Sequence, residues 1–205
     1  MGQLDGIAAS TLWLMSVPVR SEVVSELARG AHDLALAAQI GGNLFARVAM
    51  HPALTDVSDK TERGKVLTRA WRRYGVVNSL ALGTLVAGWL PARLNSADAR
   101  RLTPRERCLL LAEDVAMGAV VVTGLASAAG GVGFSHQALG GAVPMASGHD
   151  PAPDTPARAA HLKRVLNALG AANLAAGVAL LAVNSAPAQA NLRRRPSRRM
   201  ARHRH

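Results

Sequence analysis

Apolar positions in this chain fall in blocks rather than in stripes. Ala31–Met50, Tyr74–Leu90, Cys108–Ala129 and Leu162–Val183 are dominated by Ala, Leu, Val and Gly, with polar stretches between them. Each block has about the 17–25 residues that a helix needs to cross the roughly 30 Å of a bilayer's hydrocarbon. A surface helix of a soluble protein keeps a polar face, and a block that is apolar all round suits lipid instead. The pattern predicts an all-α fold: a four-helix transmembrane bundle with spans at about 31–50, 74–90, 108–129 and 162–183.

The blocks also have stop signals. His51-Pro52 is expected to end the first, Pro91 the second, Gly130-Gly131 the third and Asn184 to Pro187 the fourth. Residues 1–30 read as an N-terminal amphipathic or interfacial segment, because Gly6–Val19 is too short to span and is broken by Pro18. Ser21 is a candidate N-cap for the helix that follows. Gly131–Pro156 is rich in Gly, Pro, Ser and His and predicts no regular structure. The domain then runs over 31–186, and 187–205 is expected to be a disordered Arg-rich tail.

Composition fits this picture. Hydrophobic residues make up 49% of the chain but aromatics only 3%. Small residues let helix backbones approach closely in lipid. The formal net charge is +11, and seven arginines lie between Arg193 and Arg204. Such an excess suits either nucleic acid or anionic lipid. The apolar blocks have no polar face and offer few aromatics for base stacking, so no nucleic-acid partner is expected. Membrane lipids are the expected partners of the tail, their anionic headgroups contributing about 1 kcal/mol per Lys or Arg. Counting Lys and Arg by loop puts fourteen on one side and nine on the other. The positive-inside bias predicts a multi-pass protein of the cell membrane with both termini cytoplasmic. The N-terminus has no basic region, so no cleavable signal peptide is expected. Cys108 is the lone cysteine, which excludes a disulfide framework within one chain. HExxH, CxxC, GxSxG, GxGxxG and P-loop motifs are all lacking, and neither a metal nor a cofactor is expected.

Polar residues inside the blocks carry the candidate chemistry. In the second block Gly75, Ser79, Gly83 and Ala87 recur every four residues, which predicts a close helix–helix contact. Tyr74, Asn78, Leu85 and Trp89 lie on the opposite side. The fourth block places Gly170, Asn173, Gly177 and Asn184 on one face. In the first block His32, Gln39, Asn43 and Arg47 fall within about 80° of arc. An arginine at the bilayer centre costs at least about 2.5 kcal/mol, so this face looks into the bundle, a wet cavity or a partner. Snorkelling to the interface is the plainer reading of Arg47. In the third block Glu113 and Asp114 point about 100° apart, so one of them faces the interior, with His32 or a water as its expected partner. A carboxylate at that depth is a candidate acid or base. A structural hydrogen bond between helices is the competing reading. His136 and His149 fall in the loop, where a solvated role is expected.

One run of residues has a likeness. Gly41-Gly42-Asn43-Leu44-Phe45, the exit His51-Pro52-Ala53-Leu54, and Trp71-Arg72-Arg73-Tyr74-Gly75 after a polar loop resemble the anthrone-oxygenase-like family of integral membrane proteins. The resemblance covers roughly residues 31–90. It implies a four-helix membrane bundle. It also implies oxidation of a small phenolic, polyketide-like substrate without metal or flavin, as some fungal members oxidise an anthrone to an anthraquinone. On that reading His51 or Asp114 is the base and Arg47 stabilises developing negative charge. Asn43 and Asn78 donate to the phenolate, with Tyr74 and Gln39 completing the substrate site. The alternative is a non-catalytic accessory or scaffold protein that binds lipid, a larger membrane partner or a second copy of itself.

Overall fold

A computed structural model describes residues 19–95 and 103–194. Among the described residues the regular structure is helical, with one isolated bridge between Met145 and Pro151 in the loop before the last helix. Four long helices carry the fold: α1 (Val19–Phe45), α2 (Lys60–Asn95), α3 (Pro104–Ser135) and α4 (Ala157–Arg194). Of the segment expected over 1–30, residues 19–30 form the start of α1 and 1–18 lie outside the described residues, as does most of the arginine tail.

The helices run past several of their expected stops. Helix α2 continues through Pro91 to Asn95, since one missing donor near the end of a long helix does not by itself end it. Helix α4 reaches Arg194, well into the segment expected to be an unstructured tail. The start of α3 is fixed locally by a capping box. Thr103 Oγ1 accepts from Glu106 N, the Glu106 carboxylate accepts from Thr103 N, and Pro104 occupies the first turn.

Helix α1 does not stop at His51-Pro52 either. It passes into a π turn over Ala46–Met50, a single α turn at His51–Ala53 and a 3-10 turn at Leu54–Asp56. The N–H of His51 bonds to Ala46 O, five residues back. Pro52 explains why the register loosens here. Its ring offers no N–H and crowds the carbonyl four residues earlier, and the wider turn relieves both.

Helix α3 packs most closely on α4, and α1 on α2. The two hairpins join through contacts of α1 with α4 and of α2 with α3. Two apolar clusters fill the interior. The first holds Leu36, Leu85, Met117, Val120 and Leu180. The second, at the opposite end, holds Leu54, Leu67, Phe134, Val143 and Met145.

The Gly/Pro-rich loop is the main departure from expectation. It is an ordered strap across the second end of the bundle. Its own Val143 and Met145 are buried against the bundle. Met145 N donates to Lys60 O at 3.0 Å, Gly148 N to His51 O at 3.2 Å, and Asn167 Nδ2 to His149 O at 2.8 Å. Arg63 Nη1 donates to Ala146 O at 2.8 Å. The strap is thus tied to the α1 extension, α2 and α4 at once.

Two helices, α3 and residues Ala157–Ala186 of α4, are long and apolar enough to cross a membrane. Most of each apolar stretch faces outward rather than into the core. The small-residue ladder of α2 also faces outward: Ser79, Gly83 and Ala87 are exposed, and a Cβ at Gly75 or Gly83 would meet nothing. Leu85, Tyr74, Asn78 and Trp89 take the inward side. The expected close contact is therefore not one that the described residues make.

Candidate functional site

The polar face of α1 lies between the two apolar clusters. Gln39 is buried, and its Nε2 reaches Asn78 O at 3.5 Å. Asn43 Nδ2 donates to Asn173 Oδ1 at 3.1 Å. Asn173, buried on α4, donates in turn to Val120 O at 3.0 Å and Thr123 Oγ1 at 2.9 Å. Tyr74 OH donates to Ala38 O at 2.7 Å, and Gly42 leaves room for its ring, because a Cβ there would collide with Tyr74. These groups form a hydrogen-bonded seam that joins α1 to α2, α3 and α4. The α4 face expected from the sequence is part of it. Gly177 sits against Ile40, and a Cβ at Gly170 would lie 3.2 Å from Arg47 Nη2.

Toward the strap the seam becomes basic. Arg47 Nη2 donates to Asn167 O at 2.9 Å. His51 is buried, and its Nδ1 lies 3.2 Å from Nε2 of His149. The two imidazoles meet edge to face with centroids 4.4 Å apart. Trp71 stands 6.1 Å from His51 and 5.9 Å from Tyr74, so an aromatic wall borders the pair. Lys163, in the first turns of α4, is buried beside them.

The π turn is what brings His51 here. In an unbroken α-helix His51 would sit about 120° from Gln39. A turn with i→i+5 bonding uses roughly 4.4 residues, which swings the following residue back by about 90°. Gln39, Asn43, Arg47 and His51 therefore share the inward side.

The electrostatics are one-sided. Burial, then the charges of Lys163, His149 and Arg47, hold His51 down at a pKa of about 3. His149 is lowered from its ordinary value for the same reasons, burial first, then Lys163 and Arg47. Both imidazoles are thus neutral at physiological pH. One donates to the other, and the positive potential comes from Arg47 and Lys163. The carboxylate that bears on the cluster is Asp150, which is exposed and accepts from Ser147 Oγ at 2.9 Å.

The structure brings His51, Arg47, Asn43, Asn78, Tyr74 and Gln39 together, and does not bring Asp114 to them. Asp114 takes both of its short contacts from Arg93 Nε, at 2.8 and 2.9 Å, in the half of the bundle away from the strap. It lies roughly 30 Å along α3 from the strap end. Its neighbour Glu113 is the one within the influence of His32. Sequence reasoning had no signal for His149, which no periodicity places, or for Lys163, which read as a loop-side charge. No group of three or more His, Cys, Asp or Glu side chains among the described residues is arranged to hold a metal ion.

No family model, curated protein or solved structure matches this chain. The chemistry of the site is therefore argued from its geometry. A separate open groove of about 580 Å³ lies between α2 and the start of the strap, lined by Arg72, His136, Gln137 and Gly140 among others, and none of the seam residues borders it.

Proposed function

We propose that this chain is a multi-pass membrane protein of the anthrone-oxygenase-like type, which binds a small phenolic substrate at the strap end of its bundle and oxidises it. The supporting observation is the neutral His51–His149 pair set between Arg47, Lys163 and the Trp71–Tyr74 wall. The positive potential that keeps His51 neutral also favours ionisation of a phenol beside it. The imidazole pair takes the phenolic proton, and His149, the more exposed of the two, passes it outward. Arg47 and Lys163 hold the resulting oxyanion. Dioxygen then reacts with the electron-rich ring: an anthrone methylene becomes a carbonyl, and one O₂ yields one quinone and one water.

The test is turnover of an anthrone by the purified protein in lipid vesicles, following oxygen uptake and quinone absorbance together. The expected result is one O₂ per quinone, and a fall of at least about 100-fold in His51→Phe, the usual scale of lost acid–base catalysis. Asp114→Asn should keep turnover within a few-fold, because Asp114 is paired with Arg93 in the other half of the bundle. Unchanged turnover in His51→Phe and Arg47→Gln sinks the reading.

The outward ladder on α2 supports the second reading, a scaffold that packs against another membrane helix. Cross-linking from Ser79→Cys that captures a stoichiometric partner, with no turnover of any anthrone, would favour it. With both termini cytoplasmic, as the Lys and Arg distribution suggests, the strap faces the outer side.

A further inference from the structure

Four basic side chains meet beneath the strap, and two of them are more than nine-tenths buried: His51 is 5% exposed and Lys163 4%. Nε2 of His51 is enclosed and has no hydrogen-bond partner among the described residues. The Lys163 ammonium has neither a hydrogen bond nor an ion pair among them. Removing an ammonium from water costs several kcal/mol unless a counter-charge accompanies it. Asp150 compensates it only in part: its carboxylate acts on Lys163 from beyond ion-pair distance, is exposed and is engaged by Ser147.

The unused donors converge. Arg47 spends one nitrogen on Asn167 O, which leaves further N–H groups free. Lys163 offers three. The imidazole pair has two proton arrangements. If His149 Nε2–H donates to His51 Nδ1, the His51 proton sits on Nε2, which becomes a fourth enclosed donor. No acidic side chain among the described residues lies within salt-bridge distance of Arg47 or Lys163.

The geometry points to a buried anion site formed by Arg47, Lys163 and His51 Nε2, closed by the strap through His149, which takes the oxyanion of an aromatic acid, phenolate or carboxylate. Trp71, whose ring centroid is 6.1 Å from that of His51, and Tyr74 beyond it offer aromatic surface against which the ring of such a ligand would pack. This inference rests on the phenolic reading of the same site and narrows it: the site holds its ligand as the anion, whether a carboxylate that enters ionised or a phenol that has given its proton to the imidazole pair, and charge rather than shape dominates its affinity.

Binding tests this without any turnover. The purified full-length protein in detergent at pH 7.5 is titrated by calorimetry with benzoate and, separately, with benzamide, its neutral near-isostere. Benzoate should bind at least about tenfold more tightly. Lys163→Met and Arg47→Gln should each weaken benzoate by about tenfold or more while leaving benzamide unchanged. Inorganic phosphate and chloride should displace benzoate only weakly. Equal affinity for benzamide overturns the anion site while the phenolic pocket stands. Retention of benzoate affinity in both variants overturns it as well. Phosphate or chloride bound in preference to benzoate overturns the aromatic assignment. Should either variant fail to fold by circular dichroism, the wild-type comparison of benzoate with benzamide still decides. Benzoate selectivity in a protein that turns over no anthrone would support the site and remove the oxidase reading.

Discussion

Two single residues carry much of the packing, one where the strap meets the bundle and one where the helices meet each other. Gly148 lies so close to His51 that a Cβ would fall on the Cα, Cβ and Cγ of the histidine. Backbone cannot yield to that contact as a flexible side chain could. Gly148→Ala should therefore lift the strap, costing about 1–3 kcal/mol by overpacking. Hydrogen exchange should show faster loss of protection at residues 145–152, with α3 little changed; unaltered protection would show that the contact relaxes cheaply. Asn173 is a different case, because it is buried with all its partners made. Its amide bonds Val120 O and Thr123 Oγ1 while accepting from Asn43. Asn173→Ala removes those bonds and leaves the Asn43 donor enclosed, which should cost about 1–3 kcal/mol. Thermal unfolding of the variant in detergent checks this, and no loss would mean that water replaces the amide.

At the scale of elements, the helices were legible and their joins were not. The inward face of α1 followed from a 3.6-residue period, and Gln39 and Asn43 lie where that period puts them. His51 escaped the same arithmetic because the π turn resets the register just before it. The ladder of α2 was read correctly as a stripe, but a stripe carries no information about which neighbour it meets. The strap escaped altogether: it has no period, and its order comes from tertiary bonds to Lys60, Arg63, His51 and Asn167. Those bonds make a pH prediction. His51 is held at about 3 and His149 below its ordinary value, while a lifted strap would return both to about 6.5. Above that value neither state takes a proton and closure is independent of pH. As the pH falls from 6.5 toward 3 the lifted state binds protons that the closed state refuses, and closure weakens by up to about 1.4 kcal/mol per unit through His51, with His149 acting in the same direction. Of the charged groups facing the pair, Arg47 and Lys163 act in this direction, while Asp150 opposes them more weakly at His149. Strap amides should exchange faster at pH 5 than at pH 7.5 after correction for the intrinsic rate. Equal protection would mean that the histidines protonate without opening it.

The whole molecule turns its apolar surface outward. Leu111, Val115, Val122 and Leu125 on α3 are exposed, as are Val178 and Leu181 on α4. Leu34, Phe45 and Val48 on α1 and Val76, Val77 and Leu80 on α2 continue the same band around the bundle. A soluble monomer rarely shows contiguous apolar surface on this scale. In lipid the band needs no cover, and the interior need only satisfy its own polar seam, as the Asn43–Asn173 and Gln39–Asn78 bonds do. The protein should therefore stay with the membrane pellet through alkaline carbonate extraction, and release into the supernatant would sink the membrane reading. That assay does not separate two spans from four. A charge placed on the band does. Leu125→Lys on α3 should impair insertion by about 2.5–3.5 kcal/mol if that position lies mid-bilayer, whereas a water-facing surface would accept it freely. The same substitution at Leu80 tests α2, whose apolar block is flanked by arginines on the strap side. An insertion defect at Leu125 but none at Leu80 would leave α3 and α4 as the spans and put α2 in water or against a partner. Defects of similar size at both would place all of the band in lipid, and with it the strap at the membrane surface, where an amphipathic aromatic anion can reach Lys163 from either the bilayer or the solvent.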